Sequence, residues 1–441
     1  MFFERNIVEK LNAWSSRPKP KPLLLKGARQ VGKTSILKWY GDRAYEKVAY
    51  FNFDRQPDIK QFFELTKDPK RIIENLSLVI GFSIDVRNTL IIFDEIQECK
   101  EALNALKYFE ESSDPFHVIG AGSLLGVTLG NTSSFPVGKV EFLEIFPLTF
   151  LEFLVQKDKE MAFYIQGIEA LEPIPDYFFN RITDSFRQFM ICGGMPESAR
   201  EMVETGDLSR VEEILANINY AYQLDFSKHV PTKDIQKISY IWDSIPSQLA
   251  KENKKFLFQV VKKGARAREY EDALTWLIQA GLVYKVSRIT KTGIPLSAYR
   301  DLSAFKIYFL DLGLLRKKAD LGATMILNPT DLFTEFKGAL AENFILQTLL
   351  NHFEVDPVYW TSNGKAELDF VLQFENSLIP IEVKSAENIR SKSLSVYSQE
   401  NSPILKVRYS MRNLKLQDGL INIPLFLADR TGDFLKMSLK A

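Results

Sequence analysis

The segment Gly27-Ala28-Arg29-Gln30-Val31-Gly32-Lys33-Thr34 has the residue types and spacing of a loop that cradles phosphates. The apolar run Pro22-Leu23-Leu24-Leu25 precedes it, and Ser35-Ile36-Leu37-Lys38-Trp39-Tyr40 follows with helical spacing. Such a loop needs a strand before it and a helix after it, because its backbone N–H groups close around a phosphate at the positive end of the helix. In that setting Lys33 reaches the terminal phosphates and the Thr34 hydroxyl holds a magnesium ion. Gly27 through Ser35 are therefore the expected nucleotide contacts. Arg29 stays open, either lining the loop or facing solvent. A pattern this short also arises by chance on a glycine-rich turn, so a second motif in the right place has to decide.

Thr89-Leu90-Ile91-Ile92-Phe93-Asp94-Glu95 supplies that second motif. An unbroken apolar run suits a central strand of a parallel sheet, covered on both faces. Sheets of this kind carry functional groups at the carboxyl ends of their strands. Asp94 is the expected second magnesium holder and Glu95 the group that polarises an attacking water. The pair of motifs predicts binding of ATP with Mg2+. His117-Val118-Ile119-Gly120-Ala121 reads as a strand beside that of Asp94, ending in Gly122-Ser123. Ser123 is then placed to contact the terminal phosphate or the attacking water, with an ordinary turn serine as the alternative.

Further on, Gly338-Ala339-Leu340-Ala341-Glu342-Asn343 reads as a helix carrying Glu342. Tyr359 to Leu372 reads as a hairpin into a strand bearing Asp369, and Leu378-Ile379-Pro380-Ile381-Glu382-Val383-Lys384 as another strand. Glu382 and Lys384 are two apart, so a strand projects them from one face. An acid beside a neighbouring Glu-x-Lys resembles the core of PD-(D/E)xK nucleases. That resemblance implies magnesium at Asp369 and Glu382, charge stabilisation or water orientation by Lys384, and a helix-borne ligand in Glu342. Glu367 is read as starting the strand or facing away. The competing reading is a nuclease-like fold without cleavage, in which Lys384 merely pairs with Asp369 or Glu382.

The elements that position these groups follow from pattern. A helix over residues 1–16, with Ile7, Leu11 and Trp14 on one side, is broken by the alternating prolines of Arg17-Pro18-Lys19-Pro20-Lys21-Pro22. Val48 to Asp54 alternates as a second strand, and a helix runs through Leu103, Leu106 and Phe109. Strands alternating with helices imply a parallel α/β sheet. From about 206 to 325 the pattern turns helical, and a helix over Glu271–Gln279 followed by Gly281-Leu282-Val283-Tyr284 has the layout of a winged helix. The segment 251–268 holds seven basic residues (Lys251, Lys254, Lys255, Lys262, Lys263, Arg266, Arg268) against one acid, Glu252. Such a cluster could neutralise DNA phosphates, or it could be the solvated face of a protein-docking module.

At 441 residues two or three domains are expected. Lys+Arg 56 balances Asp+Glu 56, so any nucleic-acid surface has to be local. Two cysteines form no disulfide framework, and three scattered histidines argue against a structural zinc. With no apolar stretch long enough for a membrane span and no signal-peptide pattern, the expectation is a cytoplasmic protein without membrane contact.

The order of phosphate loop, acidic strand, Gly122-Ser123, Pro147-Leu148-Thr149-Phe150-x-Glu152-Phe153 and Gly193-Gly194-x-Pro196-Glu197 resembles one family. It is the bacterial and archaeal AAA+-type ATPases that carry a conserved C-terminal domain of unknown function (DUF4143). Leu224-Asp225 and Phe305 to Leu315 match as well, so the resemblance spans essentially the whole chain. It implies an ATPase domain with helical lid at 1–205, a winged-helix-like domain at 206–325 and a PD-(D/E)xK nuclease-like domain at 326–441. The fold class is then α/β, an AAA+-type P-loop parallel sheet with helices on both faces, then the helical winged-helix part and an α/β restriction-endonuclease-like part. One position departs: the family has Gly-Arg where this chain has Gly138-Lys139. Lysine lacks the bidentate fork of arginine, which puts a role of Lys139 across a subunit boundary in doubt. Two functions follow: an ATP-hydrolysing protein acting on DNA through 251–268 and the C-terminal part, or a nucleotide-controlled scaffold for a protein partner or a second copy.

Overall fold

The computed structural model describes residues 1–130, 138–251, 254–327, 334–364, 366–384 and 392–440. Position 252 of the basic segment therefore lies outside the described residues. The chain forms two compact units, one of residues 2–146 with 279–282, the other of 147–278 and 283–441 with Met1. Among the described residues no helix is long and apolar enough to cross a membrane.

The first unit is built on β1 (Leu23–Lys26), β2 (Lys47–Asn52), β3 (Thr89–Asp94), β4 (His117–Gly122) and β5 (Glu141–Glu144). All pairings are parallel, in the order β2-β3-β4-β1-β5. Every residue of β3 is buried, as an apolar run covered on both faces requires. Phe93 on β3 meets the rings of Phe51, Phe53, Phe63 and Phe109 at 5.4–6.3 Å between centroids, which fixes β3 against β2 and the helix Lys100–Glu111. The register pairs Lys26 with Gly122, Ala121 with Asp94 and Asp94 with Asn52. Four strand ends, from β1, β4, β3 and β2, are thus brought level at one edge. The parallel sheet with its helices, the later helical region and the α/β sheet near the C-terminus are the architecture read from the sequence.

The second unit starts with helices, of which Phe150–Lys157 opens with a reciprocal capping box between Thr149 and Glu152. Longer helices follow at Asp176–Cys192, Leu208–His229, Thr232–Leu249 and Ala267–Gln279. Its strands are β6 (Val283–Ile289), β7 (Asp301–Phe309), β8 (Val358–Thr361), β9 (Glu367–Phe374), β10 (Ser377–Val383), β11 (Lys406–Ser410), β12 (Lys415–Gln417) and β13 (Leu420–Pro424). They form one mixed sheet ordered β12-β13-β11-β10-β9-β8-β6-β7. The hairpin β6–β7 joins that sheet through parallel pairing of β6 with β8, so the sheet runs across position 325.

Three of the sequence patterns that carry the resemblance meet in this unit. Gly194 donates its N–H to Asp311 Oδ2 at 2.7 Å, and its carbonyl accepts the N–H of Leu148 at 2.7 Å. Asp311 also caps the helix Leu312–Lys318 by accepting from Leu314 N–H at 2.9 Å. Pro147–Phe153, Gly193–Glu197 and Phe305–Leu315 are therefore one buried knot, a structural role.

Candidate functional site

The loop Gly27–Gly32 leaves β1 and enters the helix Lys33–Ala44. Gly27 has φ 154°, and a Cβ there would stand 2.4 Å from the carbonyl oxygen of Ile145, so only glycine fits. Gly32 caps the helix in left-handed conformation, without a side-chain cap on the first helical N–H groups. Lys33 is buried, and its ammonium donates to the carbonyls of Gly27 at 2.9 Å and Ala28 at 2.7 Å. Burial pulls its pKa down to about 8, against the opposing pull of Glu95 and Asp94. Val31 is fully buried and anchors the loop, whereas Gln30 and Ser35 face solvent.

Thr34, the next residue, donates its hydroxyl to Asp94 Oδ2 at 2.8 Å. The two residues expected to share a magnesium ion are thus in direct contact, and a hydroxyl with a carboxylate is a hard-oxygen donor pair that fits it. Tyr50 donates to the same Asp94 oxygen at 2.7 Å and Asn52 Nδ2 at 3.5 Å, both from β2. Asp94 Oδ1 accepts the N–H of Glu95 at 3.1 Å. Burial, helped by the bond to Asp94, pushes the Tyr50 phenol up to about 12, so it stays a donor at neutral pH. Glu95 has left-handed backbone, φ 50° and ψ 43°, and accepts from Gln97 Nε2 at 2.5 Å. Ser123 follows β4, which separates β1 from β3, and its hydroxyl accepts from Arg29 Nε at 3.3 Å. Lys33, Thr34, Asp94, Glu95, Arg29 and Ser123 are therefore gathered at one sheet edge. Lys139 instead pairs with Glu110 at 2.8 Å and Glu111 at 3.4 Å.

Sequence reasoning missed Tyr50, Asn52 and Gln97. The signal for the first two was present in the polar end of an otherwise apolar strand, but pairing β2 with β3 required the sheet order.

In the second unit, Glu342 on the helix Thr334–His352, Asp369 on β9 and Glu382 with Lys384 at the end of β10 belong to neighbouring elements. Glu342 and Glu382 stand in ion pairs, while Asp369 is held by a backbone N–H. Lys254 bonds Glu342 Oε1, Tyr308 donates to Glu342 Oε2 at 3.1 Å, and Lys384 reaches Glu382 at 2.8 Å. Asp369 accepts the N–H of Val383 at 2.7 Å. Lys306, fully buried, lies 2.6 Å from Glu367, which starts β9 and shares the face of Asp369. Burial raises Asp369 to about 7, with the charge of Glu342 adding to it. Burial pushes Glu342 up as well, but the ammonium groups of Lys254 and Lys306 hold it below its ordinary value. Of the three carboxylates expected to hold metal, Glu342 and Glu382 are thus paired with resident lysines, while Asp369 is held by a backbone N–H and one oxygen of Glu382 is buried without a partner among the described residues. The missed signal was Lys306, a charge inside the apolar strand Phe305–Phe309. Of the basic segment, Lys251, Lys262, Lys263, Arg266 and Arg268 are exposed, while Lys254 is spent on Glu342.

The first unit has the fold of a P-loop ATPase. Comparison with protein families matches an AAA domain to residues 19–154 and the domain of unknown function DUF4143 to residues 337–427. Another domain of unknown function, DUF8612, matches residues 183–324. The chain thus carries an AAA domain and a C-terminal DUF4143 domain, as its motif order implied. No match was found among curated proteins. Among solved structures it is similar to the Walker-type ATPase PABY2304 of Pyrococcus abyssi, at 14% identity and TM-score 0.44, over 72% of this chain and 96% of that one. It is also similar to Drosophila ORC bound to DNA, at 15% identity and TM-score 0.29, over 71% and 93%. A third is the Thermotoga maritima RuvB Holliday junction branch migration motor, at 17% and 0.29, over 64% and 90%.

Proposed function

We propose that this chain binds and hydrolyses ATP with magnesium, and that the assembly of Lys33, Thr34, Asp94 and Glu95 is the active site. The contact of Thr34 Oγ1 with Asp94 Oδ2 at 2.8 Å carries the reading, because it joins the phosphate loop to the acidic strand. Thr34 and Asp94 would hold magnesium, which would supply charge neutralisation at the phosphates. Lys33 moves from its loop carbonyls onto the terminal phosphates, Glu95 accepts the proton of the attacking water, and Ser123 with Arg29 lines the far side. The test is steady-state ATP turnover with nucleotide binding measured in parallel. Lys33→Ala should abolish binding or turnover, and Glu95→Gln should retain binding while slowing hydrolysis; wild-type turnover in Glu95→Gln sinks the assignment of Glu95.

For the second unit, the pairing of Glu342, Glu367 and Glu382 with lysines favours nucleotide-controlled binding over cleavage by a nuclease-like module. DNA is the proposed partner of the exposed Lys262, Lys263, Arg266 and Arg268. Its affinity should then fall steeply with salt as counterions are released. A flat salt response, with ATP turnover intact, favours a protein partner. Labelled DNA with magnesium or manganese, beside Lys384→Ala, tests cleavage directly. We place the protein in the cytoplasm, where the buried free thiols of Cys99 and Cys192 stay reduced.

A further inference from the structure

Gln97 lies on the short turn Ile96–Glu98 that follows β3. Its Nε2 donates to Glu95 Oε2 at 2.5 Å, while its Oε1 is buried with no hydrogen-bond partner among the described residues. Turning the amide over would face oxygen to carboxylate, so the orientation is fixed by charge. A buried carbonyl oxygen without a hydrogen bond keeps its full desolvation penalty. Such a cost persists where the surrounding structure enforces it, and here two features do.

One is Glu95 itself, whose left-handed backbone turns its side chain out of the line of β3. Non-glycine residues hold that conformation only where neighbours impose it. The other is Gly122, the last residue of β4, against which the Gln97 amide packs. A Cβ on Gly122 would fall 2.0 Å from Gln97 Oε1 and 3.0 Å from Leu125 Cγ. The amide is thus seated on one strand end and holds the carboxylate that follows the next.

We infer that Gln97, seated on Gly122, is a positioning residue that fixes the Glu95 carboxylate for hydrolysis by holding Glu95 Oε2, which leaves the other carboxylate oxygen, Glu95 Oε1, to accept the proton of the attacking water. This rests on the ATPase reading above. In that reaction the water oxygen bonds to the γ-phosphorus and the bond to the β–γ bridging oxygen breaks. The water proton passes to Glu95, and ADP and inorganic phosphate leave. Glu is a long side chain with several rotamers, so a carboxylate without its clamp spends most of its time misdirected.

The test uses the full chain and follows ATP turnover together with ADP affinity. Gln97→Met keeps the side-chain length and removes the donor. Gly122→Ala leaves Gln97 in place but displaces the flexible end of its side chain, so it reaches the same contact from the other side. Both variants should lower kcat roughly tenfold to a hundredfold, the order of a misplaced general base, with KM and ADP affinity held. In a Glu95→Gln background, Gln97→Met should add no further loss, since coupled groups are not additive. A wild-type kcat in Gln97→Met overturns the inference, as does an equal loss in the Glu95→Gln background or a parallel loss of ADP affinity. Wild-type protein that binds ATP without turning it over would sink the ATPase reading and this inference together. Wild-type turnover with a silent Gln97→Met sinks only the inference.

Discussion

Tyr50 places its phenolic oxygen 2.7 Å from Asp94 Oδ2, the same carboxylate oxygen that accepts from Thr34. Three donors, with Asn52, converge on that one oxygen and set the carboxylate's orientation. Losing a group that orients a metal ligand commonly costs about tenfold to a hundredfold in affinity, and here two other donors to the same oxygen remain. Tyr50→Phe removes the donor but keeps the ring under the Lys38 ammonium, 3.8 Å above its centroid. The magnesium concentration for half-maximal turnover should therefore rise by roughly threefold to tenfold, with metal-free nucleotide affinity unchanged. A magnesium titration at saturating ATP reads it, and an unchanged requirement would mean that Thr34 and Asn52 suffice.

The phosphate loop and the Asp94 strand were legible because their chemistry is local: a glycine turn, a lysine and two acids stand within short segments. The groups around them were not. Tyr50 reaches Asp94 only because β2 pairs with β3, a choice of sheet order that the alternation of Val48–Asn52 does not encode. The C-terminal acids were legible as a set, and even their sharing of elements was. What pairing they make was not, since Lys254 comes from a segment that read as a cationic surface and Lys306 from an apolar strand.

The pairing of Lys254 with Glu342 makes a prediction about stability that separates the two readings of the basic segment. Both side chains are largely buried, and removing one partner of a buried pair leaves an uncompensated charge. Lys254→Met should destabilise the second unit by about 3 kcal/mol, and adding Glu342→Gln should recover much of the loss. Denaturant unfolding followed by tryptophan fluorescence measures both variants and the double. A Lys254 that contacts DNA phosphates instead would leave stability alone and reduce the salt dependence of DNA binding.

Asp311 predicts a pH dependence of the knot it forms with Gly194. It is fully buried, and burial outweighs its backbone donors to raise its pKa to about 6. An unfolded aspartate titrates near ~3.9. Between about pH 4 and 6 the folded state therefore binds more protons than the unfolded one, and stability from this group falls as pH rises through the window. Asp311→Asn cannot titrate, and it turns an amide N–H toward a backbone donor such as Gly194 or Leu314, at a cost of about 1–3 kcal/mol. The advantage of wild type over Asp311→Asn should be larger at pH 4.5 than at pH 7, as denaturant midpoints at the two pH values would report. A gap that does not change with pH would show that Asp311 folds with an ordinary carboxyl.

Lys139 tests whether a second copy completes the active site. Its ammonium is held by Glu110 and Glu111 of the helix Lys100–Glu111, in its own unit, and the hydrogen bond to Glu110 raises its pKa. That same bond draws the Glu110 carboxyl down, so the pair is mutually satisfied within one chain. A lysine acting on the phosphates of a neighbouring copy would have to leave both acids, and as a point charge it would bring no bidentate grip in return. Exposed pairs of this kind contribute little to folding, so Lys139→Ala should remain folded and keep turnover within roughly twofold of wild type. Turnover per chain should also be independent of protein concentration. A loss of turnover in Lys139→Ala that is restored by mixing with Lys33→Ala protein, which keeps Lys139 but cannot itself turn over, would establish the opposite, a site shared between copies.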